Sequence, residues 1–204
     1  MKPPLKLLSL LMLLALSAVA KAQFMFTTNN GAITITGYTG TAGTVVIPDT
    51  TNDYPVTSIS PVAFYNSASL TNVTIGTNVT FLGISAFGEC ASLTTITIPS
   101  SVTSIGSSMF HNCKSLTGVI IPNSVTNLGG NSFYGCTSLT SFNFPDSLSS
   151  IRGNMFQNCS KLSAIVIPHS VTNIESSVFY NCTSLTNIIS VWPETPGFGN
   201  GIEC

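Results

Sequence analysis

In steps of 23 from Phe87 the chain reaches Phe110, Phe133, Phe156 and Phe179, and the same step carries Cys90 through Cys113, Cys136 and Cys159 to Cys182. Recurrence at a period of about 20–50 residues means that one supersecondary unit is copied and stacked, because a single copy cannot bury its own apolar face. Five copies keep strict length, at 75–97, 98–120, 121–143, 144–166 and 167–189. Upstream, Ile47 to Thr74 is one period plus five. It returns to register at Val56, Ile59, Phe64, Leu70 and Val73, so it reads as a sixth coil with an insertion around Thr50 to Tyr54. The solenoid therefore spans 47–189 in six coils. Downstream, 190–204 is too short for a full period, yet Ile202 falls one period after Phe179, and the segment reads as a degenerate or truncated terminal coil.

The copy at 98–120 shows what a coil contains. Ile96 and Ile98 flank Thr97 at strand period, and Pro99, which has no amide hydrogen for a ladder, ends the run. Val102 and Ile105 predict a second short extended piece, and Gly106 opens the tight stretch Ser107 to Cys113. Phe110 and Cys113 are three apart, the spacing of one helical turn, so a short helical turn is expected before Leu116 returns the chain to the strand. Ahead of the solenoid, over 23–46, Phe24 and Phe26 and then Ile33 and Ile35 alternate on either side of Asn30-Gly31, the strongest short hairpin signal. An N-terminal β-hairpin cap is expected there, because a bare coil end would present apolar surface and unpaired strand edges.

Residues 1–22 read as a signal peptide. Lys2 and Lys6 give a positive start, Leu7 to Ala20 is an apolar run broken only by serines, and Ala20-Lys21-Ala22 fits the small-x-small cleavage pattern. The run is shorter than the ~20 residues that span a bilayer, so the mature chain is expected to have no integral membrane segment and to be secreted or held at the cell surface. Without the leader, three basic residues face seven acidic ones, a balance of -4. No basic stripe or aromatic platform remains for nucleic acid. With 44% hydrophobic and only 6% charged residues, the chain keeps itself soluble through Ser, Thr, Asn and Gly.

The run Ile-Pro-x-Ser-Val-Thr-x-Ile, four residues, then Phe-x-x-Cys-x-Ser-Leu-Thr stands at Ile98 to Thr117, Ile121 to Thr140 (with Leu128 for the second Ile) and Ile167 to Thr186. It resembles the leucine-rich repeats of the BspA type, found in bacterial and protozoan surface proteins. The resemblance covers about Ile47 to Ile189. It implies a leucine-rich repeat solenoid, mostly β with short helical turns, and a role in adhesion or host-protein binding rather than catalysis.

Six cysteines in an exported chain ordinarily suggest disulfides. Here five occupy one column, where any pairing leaves one over, and Ser67 fills the same column in the first coil. Cysteine also serves as a small buried hydrophobe with a weak donor, so Cys90, Cys113, Cys136, Cys159 and Cys182 are expected to be buried thiols, with Cys204 outside the column. His111 and His169 fall at different coil positions and are expected to be exposed loop residues that cannot form a metal pair. Asp49, Asp53, Glu89, Asp146, Glu175, Glu194 and Glu203 occupy unrelated columns. No Gly-x-Ser-x-Gly elbow or phosphate loop is present, so no catalytic residue, metal or cofactor is assigned and an enzyme is not expected. Sequons at Asn72, Asn78, Asn158 and Asn181 read as chance matches in an Asn-, Ser- and Thr-rich repeat, with Asn158 and Asn181 as turn residues beside the cysteine column.

What remains is the outward face of the repeated strand. One column reads Asn72, Thr95, Gly118, Ser141, Ala164 and Asn187, and the next reads Thr74, Thr97, Ile120, Asn143, Val166 and Ile189. Solenoids present such sheets to partners, and Ile120, Val166 and Ile189 form an apolar strip in the C-terminal half where the N-terminal half offers Thr and Asn. The candidate ligand-binding residues are Thr74, Thr97, Gly118, Ile120, Asn143, Ala164, Val166 and Ile189. They suit a monomeric module that binds a protein or glycan of unknown identity. The alternative is a structural spacer of the cell envelope whose repeats only set length. Ice binding by threonine columns is disfavoured, because Ile120, Asn143 and Val166 interrupt them.

Overall fold

The computed structural model describes residues 24–190. The leader at 1–22, most of the terminal coil at 190–204, and with them Ile202 and Cys204, lie outside the described residues. The chain winds as a β-solenoid in which every coil contributes to three sides. The first side is a parallel ladder, here called the face ladder. It joins Thr44–Val46, Asn72–Thr74 and Thr95–Thr97, and resumes with Ser141–Asn143, Ala164–Ile167 and Asn187–Ser190. In the three-residue strands only the central side chain, such as Val73, Ile96 or Phe142, turns inward, as strand alternation requires.

The second side begins in the hairpin. Phe24–Asn29 pairs antiparallel with Ala32–Tyr38 across Asn30 and Gly31, both at positive φ (49° and 75°), as the tight two-residue turn demands. Ala32–Tyr38 then pairs in parallel with Tyr54–Ile59, which continues through Phe81–Leu82 and Ser104–Ile105 to Asn127–Leu128. A separate pair, Ser150–Ile151 with Asn173–Ile174, follows. The insertion folds outward as a small hairpin between Thr50–Thr51 and Tyr54–Pro55, leaving the coil register intact.

The third side corrects an expectation. Among the described residues there is no helix, and Ser107 to Cys113 folds as consecutive turns. Ser108 and Asn112 are left-handed (φ 57° and 56°), and a right-handed helix cannot run through either. The same two positions recur in every coil, at Val62, Ser85, Asn131, Asn154 and Ser177 and at Asn66, Glu89, Gly135, Asn158 and Asn181. The reversals turn alternate amides along the stack. Ser108, Phe110 and Asn112 donate to the carbonyls of Gly130, Ser132 and Tyr134 in the following coil, while His111 and Cys113 donate locally to Ser108 and Phe110. Elsewhere in this coil the donation runs the other way, from Thr103, Gly106 and Thr117 to Thr80, Leu82 and Thr94 in the preceding coil.

Phe64, Phe87, Phe110, Phe133, Phe156 and Phe179 form one buried stack, with neighbouring ring centroids 4.8–6.2 Å apart. Tyr38 of the hairpin stacks on Phe64 at 5.2 Å and covers the first ring. Beside the stack, Met109, Ser132 and Met155 follow each other in one buried column. Small between large fills the space, and the Ser132 hydroxyl is satisfied by the Gly129 carbonyl at 2.5 Å.

Both ladders are interrupted around the coil at 121–143. Gly118 to Ile120 touches the face ladder only at an isolated Thr97–Ile120 bridge and forms no ladder with Ser141–Asn143. The inward residues change size here: Val119 is followed by Phe142, and Ile121 by Phe144, which pack edge-on against one another and around Phe156. Larger inward side chains hold the two backbones apart, and Gly118 gives the strand no side chain to pack. The second ladder stops between Leu128 and Ile151, where the column Gly83, Gly106, Gly129 gives way to Arg152 and Glu175. A Cβ at any of the three glycines would overlap the main chain of the preceding coil.

Two substitutions test this architecture with opposite signs. Val62 is β-branched, exposed and left-handed (φ 55°) where later coils carry Ser or Asn. Val62→Asn is expected to stabilise the fold by about 1 kcal/mol, the lower end of the left-handed penalty, read as a higher urea midpoint. An unchanged or lower midpoint would mean that the position is not strained. Phe133→Ala, in mid-stack, is expected to cost about 3–5 kcal/mol, whereas Thr95→Ala on the exposed face should cost far less by the same measurement.

Candidate functional site

Parallel register assembles the outward columns of the face ladder into continuous rows. Val46, Thr74 and Thr97 lie side by side with Ile120 bridged to Thr97, and Asn143, Val166 and Ile189 form the second row beyond the interruption. Asn72 and Thr95, and then Ser141, Ala164 and Asn187, make the neighbouring column. Ile120 is 85% exposed and Ile189 53%, while Gly118, Ala164 and Val166 are half-buried. The column also contains Val46, 63% exposed, which changes the expected contrast between the two halves. Counting back by strict periods misses Val46, because the insertion places it more than one period before Thr74.

Where the face ladder breaks, an open groove of about 980 Å³ lies over Thr117 to Ile121, between Thr95 to Ile98 and Thr140 to Pro145. It includes Thr97, Gly118, Ile120 and Asn143, whereas Thr74, Ala164, Val166 and Ile189 lie outside it on the same face. Its floor has Phe142 and Phe144, both buried, and its rim has threonines and asparagines. No lining residue is charged.

On the turn side, His111 is half-buried rather than an exposed loop residue. Its Nδ1 lies 2.8 Å from the Ser108 carbonyl, its Nε2 3.5 Å from Glu89, and its ring rests against Tyr65. Asn112 donates to the same Glu89 carboxylate at 2.8 Å. Comparing columns hides this meeting, since Glu89 and Asn112 share a column and His111 sits beside it. Arg152 and Glu175, also one period apart, pair at 3.0 Å, and the Gly153 amide together with Arg152 holds the Glu175 carboxyl below its usual value. Among the described residues, no group of three or more His, Cys, Asp or Glu is placed to hold a metal. Asn181 donates to Asn158 at 2.9 Å, and both are left-handed turn residues.

The five column cysteines are buried thiols. Each Sγ donates to the carbonyl of a phenylalanine in the preceding coil: Cys90 to Phe64, Cys113 to Phe87, Cys136 to Phe110, Cys159 to Phe133 and Cys182 to Phe156, at 3.0–3.1 Å. Removal from water raises the Cys90 thiol from 9.0 to about 11, opposed by a main-chain hydrogen bond at Ser67 and assisted by the Glu89 charge. Cys113, Cys136 and Cys159 are raised further, again chiefly by burial. Such thiols are poor nucleophiles and poor metal ligands.

A solenoid of short stacked strands with an aromatic column and an open sheet face is a repeat protein of the leucine-rich class. Six copies of the BspA type leucine rich repeat region match residues 55–189, and the chain belongs to that family. Two crystal structures are similar to it. One is a T. pallidum leucine-rich repeat protein, 25% identical, with a TM-score of 0.66, covering 81% of this chain and 89% of that one. The other is a Bacteroides ovatus leucine-rich repeat protein, 28% identical, with a TM-score of 0.63 and 81% of this chain covered. The chain spans about half the length of the latter, 51%. The pneumococcal vaccine antigen PcpA shares the fold, with 17% identity, a TM-score of 0.57, and 82% of this chain and 48% of that one covered. No curated protein matches the chain. The matching family is a repeat region and not an enzyme family, and no described helix is long and apolar enough to cross a membrane.

The thiols make a testable case for linkage. The folded pKa values of Cys90, Cys113, Cys136 and Cys159 lie above the unfolded value, so their contribution to stability is complete below pH 9.0 and is lost as the pH climbs towards about 11 and beyond. Urea midpoints are expected to fall over that range, and to fall less steeply in Cys90→Ser, the residue that Ser67 already places in the column. Iodoacetamide at about pH 8 should leave all five thiols unmodified until the chain is unfolded. Rapid native labelling would contradict their burial.

Proposed function

We propose that the protein is a non-catalytic recognition or adhesion module, exported to the cell surface or beyond it, that binds a protein or glycan through the face ladder. The reading takes 1–22 as a leader, 23–46 as the cap, 47–189 as the binding solenoid and 190–204 as a terminal coil. The observation that carries it is Ile120, a large apolar side chain 85% exposed at an uncharged groove where the face ladder is interrupted. Isolated exposed apolar residues need no explanation, but one seated in a concavity and aligned with Val46 and Ile189 on the same face marks a surface kept for a partner. The alkaline-raised, buried thiols and the exposed Arg152–Glu175 pair offer no catalytic group there. Export is supported by the leader-like Met1 to Ala22, and family membership suits a surface role.

A structural spacer is the competing reading, supported by coils that lock to one another through Phe and Cys. The two separate by experiment. The chain is screened on arrays of proteins and glycans, and the hits are repeated with Ile120→Thr, Val166→Thr and Ile189→Thr combined. Thr conserves the β-branched shape of Ile and Val, so melting should be unchanged while binding falls about tenfold or more, the effect of losing roughly 1.4 kcal/mol of contact. Binding that survives the triple change places the site on the turn side or the cap. A chain that binds nothing on either array is a spacer.

A further inference from the structure

The interruption of the face ladder leaves main-chain groups facing the groove. In a parallel ladder, successive residues turn both their N–H and C=O to alternate neighbours. The Ile47 amide donates forward to the Thr74 carbonyl and the Ile75 amide to the Thr97 carbonyl, so Thr74 and Thr97 turn their main chain towards the preceding coil. By the same alternation Ser141 and Asn143 turn theirs towards Gly118 to Ile120, and among the described residues no ladder forms there. A row of strand donors and acceptors thus borders an open groove, with Gly118 leaving empty space beside it and Ile120 standing above it.

We propose that this groove binds an extended, uncharged peptide segment, which pairs its main chain with Ser141 and Asn143 and packs an apolar side chain on Ile120. This rests on the strand-face reading above and names its ligand class. Three features select the occupant. An unpaired strand edge is satisfied by another polypeptide main chain, the mode by which sheets accept an added strand. The lining has no charged side chain, so a charged segment would lose hydration without a compensating partner. The groove's aromatic residues, Phe142 and Phe144, are buried beneath the surface, so the exposed ring on which a sugar stacks is missing from the lining.

The test pans a phage-displayed library of short uncharged peptides against the full chain. Enriched peptides are then synthesised with and without alternate backbone N-methylation. Binding is expected to fall about tenfold on N-methylation, through loss of one or two main-chain bonds. Amide exchange at Ser141 and Asn143 should be fast in the unbound protein and at least about tenfold slower with peptide bound. Gly118→Thr, which adds a Cβ into open space and restores the residue type of Thr95, should weaken peptide binding with melting unchanged. Absence of enriched peptides, tolerance of N-methylation, or protection confined to other residues overturns the proposal. A partner that is lost in the Ile120, Val166 and Ile189 triple variant but leaves Ser141 and Asn143 unprotected would overturn the peptide groove while upholding the strand face. Partners indifferent to both would overturn both.

Discussion

The carbonyls of Phe64, Phe110, Phe133 and Phe156 in the stack are each held from two directions, and the period of the protein depends on it. Phe110, for example, accepts the amide of Cys113 in its own turn and the thiol of Cys136 in the next coil. A donor that must reach a carbonyl across the coil boundary fixes the stretch of chain between them, so the distance from Phe to the following cysteine cannot drift by even one position. The aromatic stack, the left-handed positions and the glycine column all inherit that spacing. The insertion in the first coil bears this out by where it occurs, outside the Phe-to-Cys segment, looping outward as the Thr50 to Pro55 hairpin. Cysteine suits the role because it is small, apolar and a weak donor, so it can be buried for packing and still satisfy a carbonyl.

Much of this is legible from spacing alone, because a repeated residue in a stacked array marks a repeated environment. The inward columns, the strand sides and the buried thiols follow from that rule. The turn side is where spacing misleads, for a physical reason: Phe110 and Cys113 at three apart suit a helical turn, but Asn at positions 131, 154, 158 and 181 is the competing signal, a residue tolerant of left-handed backbone. The broken ladder is harder to read. Gly118 is one glycine among many, and its effect depends on Phe142 and Phe144 swelling the next coil, which only packing reveals. Likewise Glu89 and His111 are neighbours through an offset one short of the period, so comparing positions one full period apart cannot bring them together.

The surface chemistry separates into hydroxyls used by the protein and groups left for others. Thr80, Thr103, Thr126 and Thr172 each donate to the carbonyl one coil back, as Ser101, Ser124 and Ser147 do along a neighbouring column. Those side chains are part of the scaffold despite their polarity. The columns of the face ladder contain Thr95, Thr97, Asn143 and Ile120, whose side chains carry no such bond to the preceding coil, and they surround the interruption. The candidate site is therefore a local departure from a self-satisfying repeat, and the departure is created in the core.

The opposed directions of hydrogen bonding have a consequence for length. In the coil at 98–120, three turn amides donate forward along the axis while Thr103, Gly106 and Thr117 donate backward. Their peptide dipoles oppose one another, and strand dipoles alternate and contribute little. An α-helix accumulates about half an elementary charge at each end; this stack does not. Whole coils can be gained or lost without altering the electrostatics of either end, so gene duplication can tune the reach of such a protein without disturbing the folding of the coils already there.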